Sequence, residues 1–189
     1  MLVIGGEDGG AVSENGISEA NINLQIALKL QNLLEQSGAT VILTRSTDEA
    51  IYDANSDGSM RQKKVSDLKN RVKIGNSSFA DVFVSIHLNK IPQEQYYGWQ
   101  TFYKSNDEQS KQLAESIQNN LNEAIQKENN RLAKTIQNIY IVDNVEIPMT
   151  IVECGFLSNH EELKDLQTEQ YQEKIAWGIY NGIMDWFKK

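Results

Sequence analysis

The sequence predicts an α/β fold: a mostly parallel, twisted sheet with helices on both faces. Three observations point there. Apolar, strand-like runs alternate with segments whose apolar residues recur at helical spacing, the pattern of layered α/β domains. The clearest run, Asp81-Val-Phe-Val-Ser-Ile-His87, is apolar, β-branched and unbroken, as strands covered on both sides are. No internal repeat, low-complexity tract or linker rich in Pro or Gly divides the chain, and Pro occurs only twice, at Pro92 and Pro148.

The elements follow in order. Residues 2–4 form a short first strand, cut off by Gly5-Gly6, and a glycine-rich loop runs over 5–16. Ser18 is a good helix N-cap with Glu19 in the first turn. Ile22, Ile26, Leu30, Leu33 and Leu34 share one face of that helix, and Gly38 supplies its stop. Residues 39–44 read as a buried strand, 48–60 as a polar loop and 61–77 as a second helix. Strands are expected at 81–87 and 98–103, with a long amphipathic helix at 107–128 carrying Leu113, Ile117, Leu121 and Ile125. Two more strands, 138–142 and 149–153, precede two closing helices, the last with Ile175, Ile179, Ile183, Trp186 and Phe187 on its apolar stripe. The order is βαβαββαββαα. In such sheets a site forms beyond the carboxyl ends of the strands.

Bulk properties narrow the function. The 189 residues suit one domain, and 40% hydrophobic with 23% charged residues is a globular composition. No apolar run approaches the roughly 18 residues that span a bilayer. Met1-Leu2-Val3-Ile4 is too short for a signal peptide, so any export signal or anchor is expected outside this chain. A net charge of -8 opposes nucleic acid, and the cluster Arg61-Gln-Lys-Lys64 reads as a solvated helix face. The single cysteine, Cys154, excludes an internal disulfide.

Three polar side chains fall where a site is expected. His87 ends an apolar strand, either as a core histidine bonded to a carbonyl or as a neutral imidazole ligand to a metal. Glu19 is either a carboxylate favoured by the helix dipole or a ligand projecting into the same crevice. Glu153 is the most telling. In Ile147-Pro-Met-Thr-Ile-Val-Glu-Cys-Gly-Phe-Leu-Ser-Asn159 it ends a buried run, where a charge is costly unless it is paired or meets a metal. Other chemistries fit less well. The loop Gly5-Gly-Glu-Asp-Gly-Gly10 lacks phosphate-cradle spacing and carries two acids, and no GxSxG elbow occurs. Cys154 sits beside a carboxylate that blunts a thiol.

Taken together, several blocks resemble the zinc N-acetylmuramoyl-L-alanine amidases of the amidase_3 family. They are Gly5-Gly-Glu-Asp-Gly-Gly-Ala11, Glu19-Ala-Asn-Ile-Asn-Leu24, Val41-Ile-Leu-Thr-Arg45, Ala80-Asp-Val-Phe-Val-Ser-Ile-His-Leu-Asn89 and Thr150-Ile-Val-Glu-Cys-Gly-Phe-Leu-Ser-Asn159, in the family's order. The run Ile86-His-Leu-Asn89, Ile91-Pro92 and Gly98-Trp-Gln-Thr-Phe-Tyr103 resembles the germination-specific amidases of spore formers. The resemblance implies Zn2+ as cofactor, with Glu19 and His87 as metal ligands and Glu153 as the catalytic acid–base. It implies Arg131 near substrate; Asn89 is expected to join it there, and Asp81 and Asn89 to support the metal from outside. The implied substrate is peptidoglycan, cut between N-acetylmuramic acid and L-alanine, most specifically in spore cortex toward muramic-δ-lactam. That substrate implies an extracytoplasmic location.

One departure matters. The family's first loop reads Asp-x-Gly-His-Gly-Gly after its strand, whereas here Ile4 runs straight into Gly5-Gly6. The first ligand histidine and the three residues before it are absent, and the other histidine, His160, reads as a helix start. Three readings therefore stand: a working zinc amidase; an amidase-fold wall-binding or regulatory module with impaired or lost catalysis; and a metal-free α/β binding domain, in which His87 and Glu153 would lie far apart. A helper protein that completes or orders the site is a further expectation.

Overall fold

The two most continuous apolar runs lie side by side. β2 (Phe83–Asn89) and β5 (Met149–Phe156) pair in parallel, with His87 opposite Glu153. The computed structural model describes residues 2–3, 10–47, 49–53 and 59–188. Ile4, loop residues 5–9 and positions 48 and 54–58, expected as a strand end and loops, lie outside them. β1 (Leu2–Val3) pairs in parallel with β2. On the other side of β5 come β3 (Gln100–Lys104) and β4 (Lys134–Ile136), so the order is β1-β2-β5-β3-β4.

The sheet is mixed, not mostly parallel as expected: β3 runs antiparallel to β5. The connection explains it. Residues 90–99 hold no helix, and a strand that follows without a helical crossover returns in the opposite sense. Between β3 and β4 the chain does cross over, through α3 (Glu108–Ile125), and those strands are parallel.

The helices largely follow the apolar periodicity. α1 (Glu19–Gln36) starts at Ser18, whose hydroxyl accepts from Ala20 N at 3.2 Å, and the left-handed Gly38 (φ 87) lies just past its end. α2 (Met60–Ser77), α5 (His160–Leu166) and α6 (Glu169–Phe187) lie where helices are expected.

Two expected strands are not strands. Residues 39–44 are irregular: β1 pairs with β2, and no further described ladder exists for this segment to join. Its Val41 packs on the core instead, while Ile42 is 37% exposed. Residues 138–142 give way to α4 (Tyr140–Asn144), with the strand displaced earlier to β4. Asn138 adopts a left-handed φ of 61, which breaks the extended path, and Ile141 and Val142 then turn into a core.

Side chains alternate across a strand, and this divides the interior. Val84, Ile86 and Leu88 of β2 join Val152 and Cys154 of β5 in a large core under α1, α3 and α6. Phe83, Met149 and Ile151 face the other way, into a smaller core with Val72 of α2 and Ile141 and Val142 of α4. Ser85, His87 and Glu153 share this second face. Phe83 and Met149 are buried there, whereas His87 and Glu153, farther along the strands, are partly open.

The large core closes by near contact of two helix backbones. A Cβ on Gly182 of α6 would lie 2.5 Å from Ile117 Cα of α3, and one on Gly178 would lie 2.9 Å from Leu121 Cα. Ser116 Oγ donates to Gly182 O at 2.8 Å. Gly182→Ala is expected to force these helices apart and lower stability by about 1–3 kcal/mol, the usual cost of overpacking. Urea unfolding followed by circular dichroism measures it.

Candidate metal and catalytic site

The site begins with a buried carboxylate. Glu19 is only 5% exposed, and each of its oxygens is occupied. Oε2 accepts from Ala11 N at 2.8 Å; Oε1 accepts from Leu88 N and Asn23 Nδ2, each at 3.1 Å. The His87 Nδ1 atom lies 3.2 Å from Oε1. Gly10 is obligatory here: it has φ 67, and a Cβ on it would collide with Glu19 Oε2. Burial pushes the Glu19 carboxyl upward, but His87 and the Ala11 and Leu88 N–H groups more than reverse this, so it lies below the ordinary range.

His87 is held from its other side as well, its Nε2 lying 2.8 Å from Ser85 Oγ. With the proton on Nδ1 the ring donates to Glu19 Oε1 and accepts from Ser85 Oγ; with Nε2–H donated to Ser85 instead, the Nδ1 lone pair faces the Glu19 oxygen. Two electron-rich atoms at this distance need a proton or a cation between them. Donors on a tetrahedral cation with bonds of about 2.0–2.1 Å lie roughly 3.3 Å apart, close to the observed spacing.

Glu153 completes the group. It is the Cα partner of His87 across β2–β5, and adjacent strands lie about 4.7–4.9 Å apart. The wide separation required by a metal-free binding domain is therefore absent. Its Oε2 is buried without a hydrogen-bond partner among the described residues. Burial raises the carboxyl above the ordinary range; the His87 imidazole opposes this and the Glu19 charge adds to it. One carboxyl shifted down and its neighbour shifted up divide the work between binding a cation and moving a proton.

The other expected residues scatter. Arg131 stands at the β3 side: Nε donates to Tyr97 O at 3.2 Å, Nη1 to Gln100 Oε1 at 3.3 Å, and its guanidinium lies 5.0 Å from the Phe156 ring centre. Gln100 is in turn the Cα partner of Glu153. Asn89 ends β2 half-buried, its carbonyl accepting from Leu157 N at 2.8 Å. Asp81 is exposed and precedes β2 at the end opposite His87, roughly 20 Å of extended chain away, so it cannot support a metal at His87. Cys154 is fully buried in the large core, and burial followed by three nearby carboxylates raises its thiol well above the ordinary range, which removes it as a nucleophile.

Sequence reasoning missed two features. Glu14, Glu94 and His160 gather with donor atoms within 4.8 Å of one another, lining a pocket of about 280 Å³ with Lys90 and Ser158. All three are exposed, where water competes for any cation; His160 begins α5, as expected. The second is Glu162, buried at 6% and accepting from Gly98 N at 2.8 Å and Phe156 N at 2.7 Å. Its only sequence signal was Asn159-x-x-Glu162, which reads as a helix cap; Asn159 does accept from Glu162 N, at 2.9 Å.

The raised Glu153 carboxyl has a thermodynamic consequence. A carboxyl whose folded-state pKa is raised stabilises fully below its unfolded pKa and loses that contribution as pH rises through the folded value. Metal-free Glu153→Gln is therefore expected to melt at a higher temperature than the parent at pH 7. The gap should close below pH 4.5, the ordinary value for this group. Calorimetry across that range reads both.

Comparison with known proteins identifies the family and the fold. Residues 4–185 match the amidase_3 family, N-acetylmuramoyl-L-alanine amidase. The germination-specific N-acetylmuramoyl-L-alanine amidase of Bacillus subtilis is 38% identical over 183 residues, spanning 97% of this chain and 76% of that protein. The structure of the CwlD amidase from Clostridioides difficile in complex with the GerS lipoprotein superposes with a TM-score of 0.95 at 46% identity, covering 99% of this chain and 96% of that one. The catalytic domain of CwlV, an amidase from Bacillus (Paenibacillus) polymyxa, gives 0.83 at 30% identity over 99% and 97%. With the family match spanning nearly all of it, the chain belongs to the amidase_3 family of N-acetylmuramoyl-L-alanine amidases.

Proposed function

We propose that this chain is a peptidoglycan-directed amidase whose zinc-dependent turnover is impaired, so that recognition of the glycan-peptide outlasts efficient cutting. The observation that carries the reading is the buried Glu153 Oε2, unpartnered among the described residues, next to the Glu19–His87 pair. A buried carboxylate oxygen without a donor is costly unless a water, substrate or cation completes it. The carboxylate–imidazole donor set fits zinc, so Glu19 and His87 are the residues that would hold it, with Ser85 fixing the imidazole from behind.

Zinc held there would supply Lewis acidity and lower the pKa of a water to about 7. The chain's own groups do the rest. Glu153 accepts the proton of the attacking water and, once protonated, returns it to the L-alanine nitrogen as the bond to the muramic acid lactyl group breaks. Its raised carboxyl suits both roles. In this reading Arg131, bonded to Tyr97 O and Gln100, receives an anionic part of the stem peptide, and Asn89, on the β2 side of β5, contacts the substrate from the other flank.

The impairment follows from the donor count among the described residues. The sequence holds two histidines, and His160 is committed to the surface beside Glu94. Zinc on two protein donors is held less firmly than on three. The C. difficile relative is in complex with a lipoprotein, and we propose that a comparable helper orders or completes the site here. The germination-specific relative favours spore cortex as the wall material, and an extracytoplasmic site of action. Among the described residues no helix is long and apolar enough to cross a membrane.

Zinc content by elemental analysis and peptide release from purified cortex test this reading. The parent is expected to hold less than one zinc per chain and to release peptide slowly, and Glu153→Ala to release none while keeping its fold. Inserting Asp-Ala-Gly-His between Ile4 and Gly5 should bring zinc to one per chain and raise turnover by about tenfold or more. Full zinc and full turnover in the parent would overturn the impairment; no turnover in the repaired form would overturn the amidase reading.

A further inference from the structure

Glu162 is a buried carboxylate that the chemistry above does not use. It sits on α5, yet its two oxygens leave that helix and bind separate strands. Oε2 accepts from Phe156 N at 2.7 Å and Oε1 from Gly98 N at 2.8 Å. Both partners flank Glu153. Phe156 closes a bulge in β5: from His87 to Asn89 β2 takes two steps while β5 takes three, from Glu153 to Phe156. Gly98 leads into β3, whose Gln100 pairs with Glu153 from the other side.

The surroundings are shaped to admit this carboxylate. A Cβ on Gly155 would lie 2.9 Å from Glu162 Cδ. Gly98 has φ 93, and a Cβ there would lie 2.9 Å from Asn129 Oδ1. That same Asn129 donates to Trp99 O at 2.8 Å and accepts from Arg131 N at 3.2 Å. The chain from Glu162 thus runs through the Gly98 turn to Asn129 and Arg131, and Arg131 returns to Tyr97 and Gln100. An ordinary core would fill this space with an apolar side chain, since burying a carboxylate is costly even when it is bonded.

We propose that Glu162 is a positioning residue for hydrolysis, clamping the bulge after Glu153 to the turn before β3 and so fixing Glu153, Gln100 and Arg131 relative to one another. This rests on the amidase reading. Glu162 touches no reacting atom; it acts through the two backbone N–H groups it accepts. A bulge free to relax lets the proton-transfer group drift from its working place, and a misplacement of about 1 Å costs up to about a hundredfold in rate.

The experiment compares the parent, Glu162→Gln and Glu162→Asp, each with and without the inserted loop histidine. Glutamine keeps the size but turns one acceptor into a donor facing an N–H; aspartate keeps two acceptors on a shorter arm. The clamp predicts that Glu162→Gln lowers kcat on a muramoyl-L-alanyl peptide by about tenfold or more, with KM and zinc content within about twofold, and that aspartate recovers part of the loss. Amide hydrogen exchange should quicken at residues 97–100 and 153–157 alone. Unchanged kcat in Glu162→Gln, or a loss of kcat, zinc and exchange protection together across α1, α3 and α6, overturns the proposal. If no form turns over substrate, the amidase reading fails. The exchange pattern still judges the clamp: a local increase supports it, and none or a general one refutes it.

Discussion

The arrangement depends on keeping the Glu19 carboxylate ionised and out of water. A buried charge of this kind persists only when its oxygens meet donors, and Glu19 draws them from three separate parts of the chain: Ala11 in the first loop, Asn23 one turn along its own helix, and Leu88 in the central strand. That need ties the start of α1 to β2 and sets the loop against the helix, which is why Gly10 has no room for a side chain. His87 is drawn into the same contact. A change in any of these segments is felt by the others through one carboxylate.

Three buried carboxylates surround the end of β5, and their environments separate them. Glu19 is richly bonded and lies below the ordinary range. Glu153 has one oxygen with no partner among the described residues and lies above it. Glu162 accepts from two backbone N–H groups, with the Lys127 and Arg131 charges in support, yet burial still raises it. Three copies of the same functional group thus suit holding a cation, moving a proton and holding backbone, according to how many donors each meets.

Much of this was legible in the sequence. The α1, α3 and α6 stripes, the unbroken β2 and β5 runs and the grouping of Glu19, His87 and Glu153 could be read from periodicity, strand ends and the cost of a buried Glu. What could not be read depends on partners distant in the chain. The 39–44 run looks like a strand because Thr-Val-Ile-Leu is β-branched and apolar, but a strand requires a ladder, and none is offered by the described edge. The reversal of β3 follows from a connection lacking a helix, a fact about path rather than composition. Ile139 to Val142 looks extended for the same compositional reason, until Asn138 turns the backbone. Glu162 was hidden because its spacing from Asn159 already had a local explanation, and its actual acceptors serve backbone sixty-four and six residues away.

The placement of Cys154 carries a practical consequence. The only thiol of the chain is fully enclosed in the large core, one residue past Glu153. A thiol-modifying reagent can reach it only when β5 parts from the helices over it, which requires opening of the central sheet. Labelling of an otherwise inert sulfur therefore times those openings, and any ligand that grips the ends of β2 and β5 should slow that clock without ever touching the reagent.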